Sequence, residues 1–227
     1  MEGPSLPPAV LAAAADREGG ATEVAATALD GLLELAGHPD RLERAVAVLL
    51  AGQPAMAPMW HLAGAAHAPD PRAALAELRR RLDADTTAAV AAAGAWLRRH
   101  LATRPGAVAT VSHSSLVDRV LAHLEAEPAT LAPRPSATPV VGVVGADAIG
   151  PVGFLNAAGT GELAARLPTL VVATAVKLVP AAPFDRLAGP GFETVPLEAV
   201  AGVVVGPEVL SPAEAGRRAA ALARPGT

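Results

Sequence analysis

Cysteine is missing from this chain of 227 residues. That excludes disulfides, thiolate metal sites and cysteine catalysis. Aromatic residues make up only 2%, so Leu, Val and Ala must fill any core. Lysine is nearly absent as well: of 18 basic residues only Lys177 is a lysine, and the other seventeen are arginines. Together with abundant Ala, Gly and Pro, this skew points to GC-rich coding. It weakens any inference from Ala-rich or Arg-rich stretches and singles out Lys177. No apolar run approaches the roughly 18 residues of a membrane span, so no membrane partner is expected. The apolar stretch 9–15 has no basic residues before it and does not read as a signal peptide. A basic excess is lacking too: the formal charge is −4, and there are few rings on which bases could stack. Nucleic acid is therefore not an expected partner. What is there is a chain 52% hydrophobic, long enough for a sizeable core. A cytoplasmic location is the simple expectation.

The first hundred residues read as helices. Pro7-Pro8 opens one that Gly19-Gly20 stops, and Ala21 to Ala36 follows with Val24, Ala28, Leu32 and Leu35 at helical spacing. Asp40 to Ala51 and Met56 to Ala66 are two more. Asp70-Pro71 is an N-cap with Pro at the first helical position. Its helix extends to about Leu101, with a kink or break expected over Asp83 to Thr87. From Ala107 the texture changes. Ala107 to Val111, Val140 to Val144, Leu170 to Val176 and Val203 to Val205, the last, are β-prone. Ser114 to Glu125, Gly159 to Leu167 and the segment after the capping box Ser211-Pro212-Ala213-Glu214 are helical. Glu127 to Pro139, rich in Pro, reads as a loop. Strands alternating with helices imply a parallel sheet. The fold class is thus α/β, an N-terminal helical domain over 1–103 followed by a Rossmann-like parallel-sheet domain over 104–227.

Ligands bind beyond the carboxyl ends of strands in such sheets. Three segments fall there: Ser112 to Ser115, Gly145-Ala146-Asp147, and Thr174 to Lys177. Asn156 to Thr160 opens a helix, whose free N–H groups can hold an anion.

These segments, in order, resemble a known family. Val144-Gly145-Ala146-Asp147-Ala148-Ile149 followed by Asn156-x-x-Gly159-Thr160 is similar to its "GADAI…NKxGT" signature. Asp16-Arg17-Glu18 with Gly20-Ala21, Pro54-Ala55-Met56-Ala57-Pro58, Ser112-His113-Ser114-Ser115, Lys177, Pro183-Phe184 and Phe192-Glu193-Thr194-Val195-Pro196-Leu197 match further pieces. The family comprises the α, β and δ subunits of translation initiation factor 2B, methylthioribose-1-phosphate isomerase and ribose-1,5-bisphosphate isomerase. The resemblance implies a helical domain packed on a Rossmann-like, CoA-transferase-like domain, a homodimer, and no cofactor. In the isomerases a Cys and the Asp of GAD would move protons between C1 and C2 of an opened sugar phosphate, while basic residues hold the phosphate.

The departures are specific. Ser114 stands where the isomerases have Cys, and a hydroxyl does not titrate near neutral pH. Ala157 replaces the Lys of the NK pair, and Gln53 the Arg before PSMAP. The resemblance implies that a strand–helix unit is deleted between the helix at Ser114 and the GAD strand, with Arg134-Pro135 its remnant.

The expected catalytic candidates are Asp147, His113 and Ser114. The expected ligand-binding candidates are Arg17, Gly20, Ala21, Asn156, Gly159, Thr160 and Lys177. Each has a plainer alternative: Asp147 a turn residue, His113 a structural histidine with no acidic orienter in sight, Ser114 and Ser115 N-caps, Asn156 to Thr160 a bare turn, Lys177 a surface lysine. His61 and His67 lack ligand spacing, so no metal is assigned. Three functions remain open: a small phosphorylated sugar or nucleotide metabolite bound without full isomerase chemistry, an active aldose–ketose isomerase, and a regulatory protein-interaction module.

Overall fold

The computed structural model describes residues 5–126 and 138–222. Five helices come first: α1 (Pro8–Ala15), α2 (Ala21–Leu35), α3 (Pro39–Gly52), α4 (Pro58–Ala66) and α5 (Pro71–Thr103). Proline at the first turn of α1, α3, α4 and α5 fits their starts, since its missing N–H would be unbonded there anyway. The Asp70 carboxylate caps α5 by accepting from the Ala73 N–H at 3.0 Å. Val10, Leu29, Leu32, Leu49, Met59, Leu62 and Leu75 form one core among these helices. Each such side chain contributes about 1.5–3 kcal/mol on burial.

The expected break over Asp83 to Thr87 does not occur. The hydroxyls of Thr86 and Thr87 donate to the Leu82 and Asp83 carbonyls one turn back, at 2.7 and 3.2 Å. That satisfies them inside the helix. Along α5 the packing changes partner. Leu75 and Leu82 lie in the helical core, whereas Ala89, Ala93, Leu97 and Leu101 lie against the sheet.

The second half alternates as expected: β1 (Ala107–Ala109), α6 (Ser115–Glu125), β2 (Pro139–Val144), β3 (Ala148–Ile149), β4 (Gly153–Ala157), α7 (Thr160–Arg166), β5 (Thr169–Ala173), α8 (Ala181–Phe184), β6 (Phe192–Pro196), β7 (Gly202–Val205), β8 (Glu208–Leu210) and α9 (Pro212–Ala221). The main sheet has the order β1-β2-β5-β7-β8, parallel except for β8. Period two decides its faces. Val141, Val143, Leu170, Val172 and Val204 turn to α5 and α6, while Val144, Val171, Ala173, Val203 and Val205 turn to the other side with α9 residues Ala215 and Ala219. The Ser211 hydroxyl caps α9 from the Glu214 N–H at 3.2 Å.

Several expectations are corrected. Val203 to Val205 is not the last strand, because Gly206, with φ +55°, turns the chain back into β8. Val176 belongs to a 3₁₀ turn, Ala175–Lys177, rather than to β5, which ends at Ala173. A second, antiparallel sheet β3-β4-β6 was not foreseen. Its strands carry the "GADAI" and "FETVP" residues, which lack a long β-branched run. The expected loop and Arg134-Pro135 fall mainly on residues 127–137, outside the described residues. Among those described, β1 pairs directly with β2, and no strand intervenes after α6.

Candidate functional site

A cavity of about 830 Å³ opens where the carboxyl ends of β1, β2 and β5 meet the starts of α2 and α6. β1 leads through Ser112, His113 and Ser114; β2 through Gly145, Ala146 and Asp147; β5 into the turn holding Lys177. The helical half supplies the opposite wall, with Arg17, Gly20 and Ala21, and β4 adds Asn156. Ser112 has φ +60°, uncommon for a residue with a side chain and frequent at ligand sites. Gly145 is needed for close approach: a Cβ there would lie 2.7 Å from the Ser114 hydroxyl oxygen.

Asp147 and Lys177 define the chemistry. Burial pushes the Asp147 carboxyl above its ordinary range, and the Lys177 charge opposes that. Burial pushes the Lys177 ammonium below its ordinary range, and the Asp147 charge opposes that. Each favours its neutral form because charge is costly away from water. Lys177 is only 5% exposed, and its Nζ donates to the Ala146 carbonyl. So Lys177 is not a surface lysine. The helical half holds the backbone of Asp147 and of the residues flanking Lys177. The Ala57 N–H donates to the Asp147 carbonyl at 2.9 Å. The Asp85 carboxylate accepts from the Ala175 N–H at 3.0 Å, and His61 Nε2 bonds the Leu178 carbonyl at 2.7 Å. Burial lowers the His61 pKa, which suits a neutral ring donating that proton.

The start of α2 opens on the cavity. Gly20 is its N-cap with no side-chain cap, and the N–H groups of Ala21 and Thr22 have no acceptor among the described residues. Such groups carry the positive end of the helix dipole.

No family model and no curated protein sequence matches this chain. Solved structures do match. A translation initiation factor 2B from Pyrococcus horikoshii OT3 is 16% identical and superposes with a TM-score of 0.70 over 91% of this chain and 96% of its own. The tetrameric complex of initiation factor 2B β and δ subunits from C. thermophilum gives 14% and 0.65, over 92% and 91%. The 5-methylthioribose 1-phosphate isomerase of Pyrococcus horikoshii OT3 gives 16% and 0.60, over 93% and 86%. The chain has the initiation factor 2B and methylthioribose-phosphate isomerase fold.

Within this initiation factor 2B-like fold, the cavity gathers Asp147, His113, Ser114, Arg17, Gly20, Ala21, Asn156 and Lys177. Gly159 and Thr160 do not line it. Gly159 turns the chain with φ +97°, and Thr160 is fully buried. The start of α7 is already occupied, because the Glu193 carboxylate accepts from the Gly161 N–H at 2.9 Å. Thr160 acts on the cavity indirectly: Asn156 Nδ2 donates to its hydroxyl at 2.9 Å, and that hydroxyl donates to the Ala157 carbonyl at 2.7 Å. Arg17 is exposed at the rim and donates to the Ala14 and Asp16 carbonyls, both at 2.9 Å.

Ser114 is the N-cap of α6, accepting from the Val117 N–H at 3.5 Å. His113 does not bond it; His113 Nδ1 lies 3.2 Å from the Asp118 carboxylate instead, both residues being exposed. Asp118, one turn into α6, is thus the acidic orienter that sequence reasoning missed, and its spacing from His113 was the available signal. Gln53 is buried and outside the cavity wall. Its Nε2 donates to the Ala13 and Asp16 carbonyls at 2.7 and 2.6 Å. Asp16 in turn accepts from the Glu18 and Gly19 N–H groups at 2.9 and 2.7 Å, which pull its carboxyl below the ordinary range. Gln53 therefore ties down the loop leading to α2.

Proposed function

We propose that the protein binds a small phosphorylated metabolite, a sugar phosphate or nucleotide, in this cavity and lacks full isomerase chemistry. The observation that carries the reading is the pairing of a buried lysine with the uncapped start of α2 on one cavity. A phosphate would find hydrogen-bond donors there, the lysine Nζ beside the oriented N–H groups of the helix start. The Asn156 amide, held by Thr160, would fix a sugar hydroxyl. The missing chemistry rests on Ser114: its oxygen serves α6, and His113 faces Asp118. Nothing among the described residues activates it.

A second reading, an active aldose–ketose isomerase on a sugar 1-phosphate, is favoured by one observation. Asp147 is held in the cavity with its carboxyl biased toward the protonated form, as an acid near neutral pH requires. In that reading Asp147→Asn abolishes turnover. A regulatory interaction role has the weaker support of likeness to the β–δ complex.

The same reading takes the protein as a cytoplasmic homodimer built from a helical part, 1–103, and an α/β part, 104–227. No helix among the described residues is long and apolar enough to cross a membrane. Thermal shift with ribose 5-phosphate, AMP and inorganic phosphate tests the binding. A rise in melting temperature with at least one supports it; no rise with any removes it.

A further inference from the structure

We propose that Lys177 is a covalent site for small carbonyl compounds, its ε-amine forming an imine with an aldehyde or open-chain sugar while Asp147 supplies and receives the protons. This rests on the reading of the cavity as a ligand site and adds a covalent step to it. Three observations converge. Lys177 lines the cavity although the rest of the residue is buried, so an entering carbonyl carbon meets a desolvated amine. Asp147 lines the same cavity without forming an ion pair with it: the Lys177 ammonium bonds the Ala146 carbonyl instead. And Lys177 is the sole lysine among 18 basic residues. A phosphate anchor could be an arginine, as every other strongly basic side chain here is. A guanidinium does not lose its proton in proteins, whereas a buried amine does. The one lysine stands where that difference counts, and its lowered pKa makes the free amine available.

The step balances. The amine lone pair forms a C–N bond to the carbonyl carbon, and the C=O π pair moves to oxygen. A proton passes from nitrogen to that oxygen by way of Asp147, giving a carbinolamine. The nitrogen lone pair then expels the hydroxyl, which takes the Asp147 carboxyl proton and leaves as water. An iminium paired with the Asp147 carboxylate remains. Nothing is oxidised or reduced.

The test is reductive trapping. The full chain is incubated at pH 7 with glycolaldehyde, or glycolaldehyde phosphate, and cyanoborohydride, then mapped by peptide mass. Lys177 should carry one reduced adduct, formed faster than in the urea-unfolded chain, as a buried amine shifted toward its free form requires. Adducts on the N-terminal amine map to a different peptide and serve as the internal reference. Lys177→Arg should lose the adduct at that peptide, since a guanidinium does not form it. If that variant does not fold, the mapped wild-type chain still decides. A thermal shift without a Lys177 adduct overturns the inference and leaves the binding reading intact. An adduct without any shift from phosphorylated ligands supports the inference and removes the phosphate reading.

Discussion

The Lys177 ammonium bonds the carbonyl of Ala146, the residue just before Asp147, so lysine and aspartate face one cavity through adjoining peptide units. Each is displaced toward neutrality by burial, and each restrains the other's displacement. Removing either one therefore shifts the titration of the other.

Alkaline titration isolates this lysine. The chain has no Cys, no Tyr and a single Lys, so only Lys177 and the N-terminal amine titrate between about pH 8 and 11. A lysine with a folded pKa below its ordinary 10.5 binds its proton more tightly when unfolded. Stability then rises with pH between the folded and unfolded values, by at most about 1.4 kcal/mol per unit. Urea unfolding from pH 7 to 10 should show this rise in the wild type and its loss in Lys177→Met. Parallel profiles for the two proteins would contradict it. Asp147 carries the opposite sign: its raised pKa means stability falls as pH climbs from 3.8 through the folded value. Asp147→Asn should remove that fall.

Thr160→Val keeps the shape and deletes the hydroxyl that joins Asn156 to the Ala157 carbonyl. A buried amide then loses its acceptor, at a cost of about 1–3 kcal/mol. Ligand affinity should drop although Thr160 is not in the cavity wall. Calorimetric titration beside urea unfolding separates the two effects.

Gln53→Ala removes both hydrogen bonds to the Ala13 and Asp16 carbonyls. Destabilisation of about 1–3 kcal/mol is expected, with weaker ligand binding as the start of α2 loosens. Unchanged affinity would mean that the loop 16–20 is not part of the site.

Ser114→Ala should cost about 1 kcal/mol, as for a lost N-cap, and leave ligand affinity within twofold. A large loss of binding or turnover with unchanged stability would make Ser114 a functional hydroxyl instead of a cap.

Much of the fold could be read from local pattern. Leu32, Leu35 and Leu82 sit at helical spacing, and the β-branched runs around Val143 and Val171 could only be buried strands. The capping signals at Asp70 and Ser211 were visible for the same local reason. The β4–β6 pairing was not, because those residues owe it to partners about forty positions away: Phe154 lies opposite Val195, and Asn156 opposite Glu193. Of the kink or break expected over Asp83 to Thr87, the break does not occur, because a side-chain hydroxyl can be satisfied within its own helix.

Of the residues the resemblance singled out, Asp147, Asn156 and Lys177 line the cavity. Spacing could not show that Ala57 reaches across from the helical half to the Asp147 backbone, and Asp85 and His61 to the backbone on either side of Lys177. Nor could it show that Glu193 closes the α7 start.

The most direct measurement is calorimetric titration of ribose 5-phosphate and AMP into the wild type and into Lys177→Met, with folding of both checked by circular dichroism. The account expects saturable binding of at least one ligand to the wild type and at least about a tenfold loss, about 1.4 kcal/mol, in the variant. Equal binding by both folded proteins, or none by the wild type, would contradict it.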